Sequence, residues 1–116
     1  MAFLALLVDD VVINKFELDN EKTTIGRAAD NAIQIEEAAV SSTHAQVVQQ
    51  SDPYMESSTQ FFIEDLESTN STRVNGSKIT RQRLFHNDLI EIGYNKFRFV
   101  DKSQVDPDRT AVIITE

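Results

Sequence analysis

The chain has 116 residues, with 19 acidic and 11 basic side chains, a formal net charge of −8 and no cysteine. A chain of this length buries enough surface for one core without a metal or disulfide staple, and its charge repels nucleic acid and anionic membrane over most of its surface. The missing cysteine removes disulfide frameworks, thiolate metal sites and thiol nucleophiles.

The first apolar run, Phe3 to Val8, has no basic leader and is too short for a signal segment or a span, which points to a cytoplasmic protein. Strand-length runs then recur at Val11 to Leu18, Thr23 to Ile25, Ile33 to Ile35, Ala45 to Val48, Gln60 to Ile63, Leu89 to Ile92 and Lys96 to Val100. In Leu89-Ile90-Glu91-Ile92 and Phe97-Arg98-Phe99 charged and apolar residues alternate, which sets one face on a core and the other in water. Val and Ile number 20 against 7 Leu, with 9 Thr and 7 Phe added, a bias toward the pleated sheet. The expected class is all-β, with two packed sheets.

Asn75-Gly76, between Val74 and Ile79, is a strong hairpin signal, because both central residues of a type I′ turn need positive φ. The polar stretch Ser51 to Gln60, with one proline, reads as a long loop at a hairpin tip. Between Glu36 and Gln50 helix formers compete with strand, and the hydroxyls of Ser41, Ser42 and Thr43 argue against helix. Residues 103–116, with Asp106-Pro107-Asp108, read as an acidic linker followed by a tail or last strand, which leaves residues 1–102 as the domain.

Enzymatic signatures are missing. Ser41 and His44 stand three apart, but there is no Gly-x-Ser-x-Gly elbow, and 3 glycines leave little room for an oxyanion loop. The histidines His44 and His86 lack partners at ligand spacing, so no metal is expected, and without a Walker loop no nucleotide cofactor is expected either. What remains is a set of loop donors: Arg27 after Gly26, then Ser41 and Ser42, then Ser68-Thr69-Asn70-Ser71-Thr72. One guanidinium with hydroxyls and an amide suits a phosphate or a peptide backbone. From Ser68 to Asn87 the chain carries Arg73, Lys78, Arg81 and Arg83 and no acid, a local basic stretch on an acidic body.

Gly26-Arg27, Val40-Ser41-Ser42-Thr43-His44-Ala45, Asp65 through Gly76, and Asp88-Leu89-Ile90-Glu91-Ile92-Gly93 together resemble the forkhead-associated (FHA) domain in order and spacing, over about residues 3 to 101. The resemblance implies a β-sandwich of about eleven strands, the FHA/SMAD-like form of the two-sheet architecture, whose loops at one end bind phosphothreonine peptides. It implies a non-catalytic signalling or assembly adaptor in a bacterial cytoplasm. By the same resemblance Arg27 and Ser41 contact phosphate, Ser42 and Thr69 sit among the contacting hydroxyls, and Asn70 bonds the peptide main chain. His44, Gly26, Asn75 and Gly76 support the loops. The alternative is a protein-interaction domain of the same fold that does not depend on phosphate.

Three positions depart from the family pattern. Ser71 replaces a usual glycine, Asn87 replaces the glycine of Gly-Asp, and Ser42 replaces a larger residue. If Ser71 keeps positive φ, it costs about 1 kcal/mol. In the tail, Thr110 precedes Ala111-Val112-Ile113, which makes it a candidate phosphosite for the pocket of its own or a neighbouring chain.

Overall fold

A computed structural model of the protein describes residues 2–52 and 55–102. Thr110 and the expected 103–116 tail lie outside the described residues. Among the described residues eleven strands form: β1 (Ala2–Val8), β2 (Val11–Glu17), β3 (Lys22–Gly26), β4 (Ile33–Gln34), β5 (Ala45–Asp52), β6 (Met55–Asp65), β7 (Thr72–Val74), β8 (Ser77–Ile79), β9 (Arg81–Leu84), β10 (Leu89–Ile92) and β11 (Asn95–Asp101). They make two sheets, one in the order β2-β1-β11-β10-β7-β8 and the other in the order β4-β3-β5-β6-β9. The all-β sandwich expected from composition is what the chain adopts.

Alternation decides the packing. In β11 the residues Phe97 and Phe99 are fully buried while Lys96 is exposed, and in β10 Ile90 and Ile92 point the same way. From the opposing sheet Ile25, Val47, Ile63 and Leu84 close the core, and Phe61 meets Phe99 with ring centroids 5.3 Å apart. The tilted geometry is one that aromatic quadrupoles favour. In β1 Ala2, Phe3, Leu4 and Ala5 are all covered, so its alternation is lost: Leu4 belongs to the core, while Lys15 and Lys102 lie over the Phe3 ring.

Two stretches differ from the sequence reading. Ser51 to Gln60 is mostly strand: β5 and β6 continue as a ribbon with Gln50 opposite Gln60 and Ser51 opposite Thr59, up to an irregularity before Asp52. A two-stranded ribbon pairs the backbone groups between its strands and leaves the outward ones to water, so it asks little of its side chains and polar residues carry it. β9 also went unread, because Leu84 is the only buried side chain in Arg81-Gln82-Arg83-Leu84. The ambiguous segment from Glu36 to Gln50 contains no helix; a loop leads into β5 at Ala45.

Candidate functional site

The turns after β3, between β4 and β5, and between β6 and β7 converge at one end of the sandwich. Gly26, the last residue of β3, makes the first junction. The Arg27 and Ala28 amides donate to the carbonyls of Ser41 (3.0 Å) and Ser42 (3.1 Å), drawing the two turns together. A Cβ on Gly26 would lie 2.3 Å from the Ser42 carbonyl oxygen and 2.8 Å from Asn31 Nδ2. Only glycine allows that approach. Asn31 braces the same place by donating from Nδ2 to the carbonyls of Ala28 (2.8 Å) and Ser42 (2.7 Å).

His44 joins the second junction to the third. It is fully buried, its Nδ1 accepts the Ser41 amide at 3.1 Å, and its Nε2 faces the Ser71 carbonyl at 2.8 Å. Because Nδ1 accepts, Nε2 must carry the proton, so the imidazole is the Nε2–H tautomer. Its backbone adds two further ties: its amide donates to the Ile25 carbonyl at 2.8 Å and its carbonyl accepts the Leu66 amide at 2.9 Å.

Within the loop between β6 and β7, Asp65 accepts hydrogen bonds from the hydroxyl and amide of Ser68 and from the hydroxyl of buried Thr72. Burial pushes the Asp65 pKa up, but the bonds from Ser68 and Thr72 outweigh burial and hold it below its ordinary value. The loop then carries Ser71 at φ 66°, the left-handed backbone that the Ser-for-Gly departure raised.

This scaffold presents the candidate ligand-contacting groups together. The Thr69 amide donates to Ser41 Oγ at 3.0 Å, so the hydroxyl is oriented as an acceptor inside the site and keeps its proton to donate outward. Asn70 is exposed and gives Nδ2 to the Ala39 carbonyl at 2.8 Å, which leaves Oδ1 to accept an amide from outside. Arg27 is exposed, its carbonyl accepts Gln34 Nε2 at 3.2 Å, and among the described residues no carboxylate forms an ion pair with its guanidinium. Ser42 and Thr69 also have exposed side chains on these turns. A depression of about 230 Å³ beside Asn70 is lined by Ala39, Arg73, Gly93 and Tyr94.

Asn75 and Gly76 lie farther along, at the turn between β7 and β8, with φ 51° and 87° as a type I′ hairpin requires. The Asn75 side chain donates to Asp88 Oδ1 at 3.0 Å and accepts the Leu89 amide at 2.9 Å. Asn87 takes φ 76°, a conformation that asparagine tolerates better than most residues.

Sequence reasoning missed the loop supports Asn31, Gln34, Ala39 and Glu37. Glu37 accepts the Tyr94 amide at 2.9 Å and Asn95 Nδ2 at 2.8 Å, clamping the loop between β4 and β5 to the turn between β10 and β11. One signal for it was Gly93, whose φ of 62° and whose missing Cβ, 2.6 Å from Glu37 Oε1, make room for that clamp.

The model of the FHA domain family matches residues 23–93, more than half of the chain. The chain belongs to the forkhead-associated family. Solved structures of similar proteins include EmbR from Mycobacterium tuberculosis in complex with a low-affinity phosphopeptide, at 31% identity and a TM-score of 0.72 over 85% of this chain. That match spans 24% of the EmbR chain, so this chain corresponds to about a quarter of EmbR. The FhaA FHA domain, complexed with the intracellular domain of Rv3910, matches at 25% identity and a TM-score of 0.70, over 85% of this chain and 99% of that one. The Slr1951 protein of Synechocystis sp. matches at 25% identity and a TM-score of 0.74, over 87% of this chain and 98% of that one. Among curated proteins none matches the chain. Among the described residues no helix is long and apolar enough to cross a membrane, and no group of His, Cys, Asp and Glu is placed to hold a metal ion.

Proposed function

We propose that this FHA domain is a non-catalytic module that binds phosphothreonine peptides and serves as a signalling or assembly adaptor in a bacterial cytoplasm. One observation carries the reading. Exposed Arg27, without a carboxylate partner among the described residues, stands on a turn hydrogen-bonded to the one that holds Ser41 with its proton free, next to Thr69 and Asn70. Phosphate takes the guanidinium fork and the Ser41 hydroxyl, with Ser42 and Thr69 at its margin, while Asn70 Oδ1 accepts a main-chain amide of the ligand. His44 and Gly26 act indirectly, by setting the distance between the turns.

Two or three charge-assisted hydrogen bonds at about 1.5 to 3 kcal/mol each hold a peptide only reversibly once ordering costs are subtracted. Recognition of threonine over serine adds only about 1 kcal/mol for one buried methyl. The kinship with FHA domains whose solved structures hold a phosphopeptide supports this reading of the ligand. A phosphorylated Thr110 tail, from its own or a neighbouring chain, is one ligand of this class. A phosphopeptide-library screen against the parent and an Arg27→Ala variant tests the proposal. The parent selects phosphothreonine sequences and the variant selects none; equal selection by both would leave a phosphate-independent interaction domain as the function.

A further inference from the structure

A second depression, of about 400 Å³, lies between the β1–β2 turn and the β10–β11 turn, with Leu7, Val8, Asp9, Asp10, Tyr94 and Lys96 on its walls. Tyr94 also lines the depression beside Asn70, so this one residue borders both, and a chain that passes over it follows a single course away from the candidate phosphate-binding turns. Tyr94 is 87% exposed, and Val8 and Val11 are 50% and 61% exposed. A solitary exposed aliphatic residue means little, but an exposed aromatic between two depressions, beside a further pair of valines, is the composition of an interface anchor.

Charge states what the course accepts. Asp9 and Asp10 form no ion pair with a basic group among the described residues. Lys96 is the cation on the wall of this second depression, with Glu91 opposite it in the β10–β11 register, and Arg73 lines the depression nearer Asn70. Both aspartates sit at positive φ, 51° and 66°, in a turn where Asn-Gly would be unstrained. The chain uses Asn-Gly at Asn75-Gly76 yet keeps two carboxylates here.

We propose that this groove holds the continuation of the phosphothreonine partner chain, selecting a segment with an aliphatic or aromatic residue and a Lys or Arg. The apolar residue packs on Val8 and Leu7, and the cation lies over the Tyr94 ring within reach of Asp9 and Asp10. This inference rests on the phosphothreonine reading of the neighbouring site and extends it to partner choice.

The test uses the full chain and four peptides: a short phosphothreonine peptide with neutral flanks, the same peptide with six residues containing Phe and two Arg added at its C-terminal or N-terminal end, and an extension carrying Asp in place of Arg. Six extended residues span about 20 Å. One of the Arg extensions binds roughly tenfold tighter than the short peptide at low ionic strength, and the gain shrinks at high salt. The Asp extension shows no gain. The paired substitution Asp9→Asn, Asp10→Gly creates the favoured hairpin turn while removing both carboxylates, so it folds and binds the short peptide unchanged, yet loses the gain. Tyr94→Ser loses it as well. Equal affinities for short and Arg-extended peptides, or a gain kept in the Asp9→Asn, Asp10→Gly protein, would overturn the groove while leaving the phosphate site intact. No binding of the short phosphopeptide would overturn both. Light scattering that shows a dimer dissociated by Tyr94→Ser would assign the groove to a second copy and overturn the proposal.

Discussion

Ser71→Gly is expected to stabilise the protein. Ser71 holds φ 66°, while its carbonyl meets His44 Nε2 at 2.8 Å and so cannot swing away to relieve the strain. The left-handed backbone costs a non-glycine residue about 1 to 2 kcal/mol, and glycine returns part of that, roughly 0.5 to 1 kcal/mol, as extra freedom of the unfolded chain. The net gain is therefore about 0.5 to 1 kcal/mol, a rise in Tm of roughly 2 to 5 °C for a chain of this size. Urea denaturation of parent and variant reads it directly, as a higher midpoint at unchanged slope. Because the substitution leaves the carbonyl and the Ser41, Thr69 and Asn70 groups in place, phosphopeptide affinity stays within about threefold of the parent. A loss of stability would refute the argument, since it would mean that the serine side chain, and not the backbone conformation, holds the loop.

Gly26→Ala places a Cβ 2.3 Å from the Ser42 carbonyl oxygen, so the turns must part; the expected result is a loss of about 2 kcal/mol or more in denaturation and weakened phosphopeptide binding. His44→Ala leaves the Ser41 amide and the Ser71 carbonyl without their side-chain partner and opens a cavity, and is expected to cost about 3 kcal/mol or more in the same assay. The lowered pKa of Asp65 means that its contribution to stability is fully present above the unfolded value, near 3.8, and is lost as pH falls through the folded value. Thr72→Val removes one of the hydrogen bonds that lower it, so stability measured from neutral to strongly acidic pH should decline less on acidification through that range than in the parent, from a lower neutral value.

The sandwich was legible where one face of a strand meets the core and the other meets water, as in β10 and β11. It was illegible where that contrast fails: in β9, with one buried residue, and along the β5–β6 ribbon, where polar side chains accompany a paired backbone. Arg27, Ser41, Thr69 and Asn70 could be named as candidates because donors of that kind recur in the family's order, and the fold brings their turns to one end of the sandwich. The groups that hold them were not, because Glu37 reaches Asn95 across 58 positions and Asn31 acts on a carbonyl 11 positions away. Main-chain carbonyls such as Ala39 and Ser71 leave no trace in residue type, although the glycine usual at the Ser71 position pointed to the left-handed backbone found there.

Net charge alone argued against anionic partners, but the arrangement at the turns narrows that exclusion. A charge of −8 disfavours polyanions that cover a large surface, while the function proposed above needs only one phosphate at Arg27, which no carboxylate neutralises among the described residues. Calorimetric titration with one peptide in threonine, phosphoserine and phosphothreonine forms, against the parent and Arg27→Ala, tests that claim most directly. The account predicts binding of the phosphothreonine form, weaker binding of the phosphoserine form, none of the threonine form, and loss of all binding in Arg27→Ala with an unchanged Tm. Equal affinity of the parent for the threonine and phosphothreonine peptides, or full affinity in a folded Arg27→Ala protein, would contradict it.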